Sequence, residues 1–200
     1  MAAALSGVLF LTWGYLHAGG DPYAYGDPHQ PYLDSAVVAM AVSVPALFFV
    51  GLAGLAGLLA QGVGRVGLLM VLVAAVGSAL AFTGAAVGIV RGIEGGLGWY
   101  DAYIAGRQNT TAFGLLLPWW IEWTTLLFAG LTTMGLAALG DEGGGPSRAL
   151  PLAMGASGWA YYLTDSGGSG GAYLAHTFFG VLFGLCWVGL GGVLLWRGRR

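Results

Sequence analysis

Few side chains in this chain can do chemistry: three histidines, nine carboxylates and one cysteine among 200 residues. Four of them, His17, Glu122, Asp165 and His176, sit within or at the ends of long apolar runs. Imidazole and carboxylate together suit zinc, copper or iron, and two histidines on separate segments suit the axial positions of a haem. Spacing adds no support, because no HxxxH, ExxH or HExxH pattern occurs and each candidate is alone on its segment. Any site must therefore be assembled from four segments. Glu122 raises the question most sharply, as the one carboxylate in "PWWIEWTT" (118–125), where three tryptophans surround it.

The segments that would position these residues are membrane spans. Hydrophobic residues make up 57% of the chain and charged residues 8%, against about 25% charged in ordinary globular proteins. So few charges cannot cover a water-facing surface, and the main partner is the lipid bilayer. Other membrane proteins, or a second copy, are the remaining partners expected. The net charge of −2 offers no basic stripe to meet phosphates, which argues against nucleic acid. The lone Cys186 lies in an apolar run and reads as a small packing residue. All seven basic residues are arginine and glycine reaches 38, as in GC-rich prokaryotic genomes.

A helix needs about 20 apolar residues to cross a hydrocarbon core of about 30 Å. Six segments qualify, at 2–18, 35–60, 66–90, 115–139, 149–165 and 172–196. The fifth is the weakest, being short and interrupted by Gly155, Ser157 and Gly158. The first lacks the charged start and small-residue cleavage site of a signal peptide and reads as a retained span. With the N-terminus inside, Arg65, Arg148, Arg197, Arg199 and Arg200 fall on the inner side, five of the seven basic residues. The expectation is an all-α membrane protein, a bundle of six transmembrane helices forming one domain over 1–200, with both termini cytoplasmic. Asp34 and Ser35 are expected to cap the second helix and Pro118 to open the fourth.

On this topology every tyrosine and histidine falls in the outer half or the outer loops, joined by six of the eight tryptophans. His17, Glu122, Asp165 and His176 then lie at similar depth, within roughly 10 Å of the outer boundary. His176, Gly180 and Gly184 share one helical face, which turns the imidazole toward a neighbouring helix. Glu122, Thr125, Ala129 and Thr132 form a small, polar stripe expected to face inward. Gly51, Gly54 and Gly57, Gly84 with Gly88, and Gly180 with Gly184 are expected packing faces.

Three readings of the outer cluster follow. It is a metal or haem centre; a cleft for a small amphipathic ligand such as a lipid or quinone; or a set of structural hydrogen bonds beside an aromatic belt. The structural reading leads, because Glu122 lies only about 6 Å into its helix, where the N-terminal dipole favours negative charge. No catalytic residue is assigned. Arg91 and Glu94 read as a surface pair, 98–106 as an interfacial helix, and "NTT" at 109–111 as a chance sequon.

"GYLHAGG" closing the first span, "GLAGLAGLLAQGVGRVGLL" turning the second into the third and "FGLCWVGLGGVLLWRGRR" at the end carry one resemblance. In layout, over most of its length, the chain resembles a diffuse group of small six-helix membrane proteins of GC-rich prokaryotes. The resemblance implies a six-helix fold with no assigned activity and transfers no functional residue.

Overall fold

The structure, a computed structural model, describes residues 1–19, 31–59, 64–96, 119–139, 146–164 and 170–197. Side chains at 13–19, 31–38, 41, 88, 91–92, 119–120, 122, 146–148 and 170–173 lie outside that description. The features expected at 98–106, 109–111, Pro118 and Asp165 fall outside it too, as do the side chains of His17, Arg91 and Glu122.

The described residues form six α-helices: α1 (Ala2–Gly19), α2 (Pro31–Leu59), α3 (Gly64–Glu94), α4 (Trp119–Leu139), α5 (Pro146–Leu163) and α6 (Gly170–Arg197). Three of them carry stretches long and apolar enough to cross a membrane: Val42–Leu59, Gly64–Val87 and Leu174–Arg197. Shorter apolar runs occupy Ala2–Thr12 and Trp123–Leu139. α5 is 18 residues, about 27 Å, and is diluted by Ser147, Arg148, Gly155, Ser157 and Gly158. Asp34 and Ser35 are not caps: the helix already includes Pro31, whose fixed φ and missing N–H suit a first turn.

Each helix packs on its neighbour in sequence, α1 through α6, and α6 returns to α1 to close a ring; α2 also touches α6 across it. Paired positions show that neighbours run antiparallel. Gly191 meets Ala4 while Gly184 meets Leu11 and Phe10; Gly130 meets Ala74 while Gly77 meets Leu127. The start of α1 and the end of α6 therefore lie at the same end of the bundle.

Glycine sets the closest approaches. A Cβ at Gly77 would stand 2.6 Å from the backbone nitrogen of Leu127, and one at Gly130 2.7 Å from that of Ala74, so α3 and α4 meet backbone to backbone. Gly135 and Gly155 do the same between α4 and α5, against Leu152 and Thr132. Between α1 and α6, Gly7 faces the carbonyl of Gly184, and Gly191 faces Ala4. On α2, Gly51 lies against Trp187 and Gly54 against Leu194, but Gly57 faces open space and is not part of the packing.

The middle of the ring is filled. Phe10, Phe48, Phe128 and Phe183, one each from α1, α2, α4 and α6, converge with Trp187. Phe183 is the hub, its ring edge-on to Phe10 at 5.3 Å, Phe128 at 5.5 Å and Phe48 at 5.6 Å, geometries that aromatic quadrupoles favour. Phe48 stacks on Trp187 at 4.2 Å. Leu52, Leu55, Leu131, Met134 and Met154, all fully buried, complete the core. The outward faces are just as apolar: Leu72 is 59% exposed and Phe178 63%, with Val50, Leu69, Leu136 and Leu185 all above half. A surface of this kind suits lipid, not water.

Candidate functional site

Of the four candidate residues, His176 alone has a described side chain. It lies in the second turn of α6, half-buried against the last turn of α5. Its ring stacks on Tyr161 at 4.1 Å and 26°. Its Nδ1 is 2.9 Å from the Tyr161 carbonyl oxygen, and since a carbonyl only accepts, Nδ1–H is the donor.

That carbonyl is one of the last four of α5, which have no donor within their own helix. The sequence supplies substitutes. The Thr164 amide reaches the Ala160 carbonyl at 3.1 Å, and the Thr164 hydroxyl donates to Ala160 at 2.6 Å and to Tyr161 at 3.1 Å. His176 adds a third donor from the next helix. It is a C-terminal cap delivered in trans, and it ties α5 to α6.

Tyr161 extends this contact inward. Its ring rests on Gly180, where a Cβ would stand 3.0 Å from two ring carbons, so glycine one turn below His176 makes room for it. On its other side it meets Phe10 edge-on at 5.6 Å. His176, Tyr161, Phe10 and Phe183 thus form a continuous run of rings from the α5–α6 end to the bundle centre, across three helices.

The α4 stripe divides differently from expectation. Thr125 is exposed, while the buried face carries Thr124, Leu127, Phe128, Leu131 and Met134. Thr132 packs against Gly155 of α5, its hydroxyl returned to the Phe128 carbonyl at 2.8 Å. Thr125 and Thr132 are seven residues apart and share a face to within about 20°, but α5 covers that face at Thr132, through Gly155, and leaves it open at Thr125. Thr124 donates to Ile121 at 3.1 Å and Ser157 to Ala153 at 2.6 Å, so these buried hydroxyls satisfy their own helices.

No cluster of three or more metal-ligating side chains occurs among the described residues. Hollows indent the outside of the described residues. One, of about 210 Å³, lies between α2 and α3 and is lined by Ala46, Phe49, Ser78, Ala79, Phe82 and Thr83. Beside it the Ser78 hydroxyl donates to the Pro45 carbonyl at 3.2 Å, joining the helices where proline interrupts the α2 ladder. Another, about 340 Å³, runs along α3 past Ala86, Val87 and Val90 to the exposed Glu94. Both are apolar grooves of a lipid-type surface. Cys186 is buried in the core beside Ser157, as a small packing residue.

Sequence reasoning weighed tyrosine, tryptophan and histidine and passed over phenylalanine, and so missed the Phe10–Phe48–Phe128–Phe183 cluster. The available signal was a phenylalanine near the middle of each of four segments. Trp187 is fully buried, and its indole N–H has no acceptor among the described residues. No known protein family, curated protein or solved structure matches the chain.

Proposed function

We propose that this chain is a six-span integral protein of a prokaryotic cell membrane, both termini cytoplasmic, with a structural or partner-binding role and no catalytic one. The observation that carries the reading is a ring of helices whose interior is plugged by Phe183 and its neighbours while its outer faces are as apolar as its core. A plugged ring is unsuited to conduct solutes. The antiparallel order and the shared end of α1 and α6 support an even number of crossings, and the arginine distribution supports a cytoplasmic location for that end. Likeness in layout to small six-helix proteins of GC-rich prokaryotes agrees with this.

Reconstitution tests it. Vesicles containing the protein are expected to release small ions and a fluorescent dye no faster than protein-free vesicles, and the purified protein to carry neither a Soret band nor stoichiometric metal. Rapid protein-dependent release, or a bound haem, would replace this reading. A second reading, an outer-facing site for a small amphipathic ligand, is favoured by one observation: His176 spends Nδ1 on a backbone carbonyl and keeps Nε2.

A further inference from the structure

We infer that His176 is an acceptor for a lipid headgroup bearing a primary ammonium. The inference rests on the membrane placement proposed above and deepens its second reading. The Tyr161 carbonyl 2.9 Å away holds the ring proton on Nδ1, so in the neutral imidazole Nε2 carries the lone pair and can only accept. Metal-ligating histidines are pinned in the same way, through one N–H to a carbonyl, which fixes the tautomer and aims the other nitrogen. Among the described residues the ring has no second hydrogen-bond partner.

The direction of that lone pair is held. Stacking on Tyr161, itself seated on Gly180, sets the ring plane, so His176 cannot swing without breaking the stack and the Nδ1–H bond. His176 lies about 9 Å along the axis from Gly170, level with the last turn of α5, which in the proposed topology is headgroup depth. An ammonium there meets a neutral acceptor in a charge-assisted hydrogen bond, roughly twice as strong as one between neutral groups. A choline headgroup has no N–H or O–H to give, and a glycerol headgroup offers only a neutral hydroxyl. One imidazole, with no cluster of metal ligands described around it, suits a headgroup better than a metal ion.

The test is two-bond ¹H–¹⁵N correlation of histidine-labelled, full-length protein in nanodiscs of phosphatidylcholine alone, or with added phosphatidylethanolamine or phosphatidylglycerol. His176 is assigned by the loss of its signals in His176→Asn. The expected result is the Nδ1–H form in all three, with the Nε2 resonance moving upfield in ethanolamine lipid, much less in glycerol lipid and not at all in choline lipid. An Nε2–H ring, or one Nε2 position in all three lipids, overturns the inference. A headgroup-attached spin label separates the two levels. Broadening of the His176 signals without a lipid-dependent shift overturns the headgroup site alone, whereas no broadening overturns the membrane placement and the site with it.

Discussion

His176 lies 4.1 Å from Tyr161, ring centre to ring centre, and donates Nδ1–H to that residue's own carbonyl. One side chain thereby ends α5 and fastens it to α6. Asparagine can place an amide N–H where Nδ1–H was, whereas glutamine extends past it. His176→Asn is therefore expected to keep most of the melting temperature in detergent, and His176→Gln to lose about 1 kcal/mol, the net worth of one hydrogen bond. Equal losses in both would make the stack, and not the cap, the important contact.

The reciprocal glycines of α3 and α4 have no room to give. Gly130→Leu sets a side chain against the backbone of Met70 and Ala74 and is expected to cost at least about 1–3 kcal/mol. Gly57→Leu, facing open space on α2, is expected to be harmless. Thermal unfolding of the pair under one detergent checks this, and the contrast between them matters more than either value.

At the centre, Phe183→Ala removes the ring that meets Phe10, Phe48 and Phe128 and should destabilise by about 3–5 kcal/mol. Phe178→Ala, five residues earlier on the exposed face, should stay within about 0.5 kcal/mol. Chemical denaturation reads both.

Ser78 supplies an interhelical hydrogen bond beside the interrupted turn at Pro45. Ser78→Ala is expected to lose about 0.5–1 kcal/mol, modest because the membrane-embedded unfolded state also finds partners for a hydroxyl. Ser78→Val tests the fit: in this fully buried place added bulk should cost more than the missing bond.

The segments were legible because lipid demands runs of about 20 apolar residues and little else produces them. α1, α5 and α6 lie within three residues of expectation at both ends, while α3 ends four residues late and α2 starts four residues early, with Pro31 as its first residue. The direction of His176 was also readable, from its register with Gly180. What could not be read was which helices meet. Gly77, Gly130, Gly135 and Gly155 form no GxxxG pairs, and their partners are backbone atoms on other segments. Phenylalanines near the middle of four apolar helices look like any outward-facing residue until the ring closes. The exposure of Thr125 was not readable from spacing, because it shares a face with Thr132 and differs only in that no neighbouring helix covers it at that level.

The central claim is that all six helices cross a membrane, and α5 is where it is most exposed to test. Single cysteines at Gly62, Gly96, Gly143 and Ser166 in a Cys186→Ala background, treated in intact cells with an impermeant maleimide, measure it directly. Gly96→Cys and Ser166→Cys should label, while Gly62→Cys and Gly143→Cys should label only after lysis. Labelling of positions 143 and 166 from the same side would show that α5 does not cross, and would contradict the account.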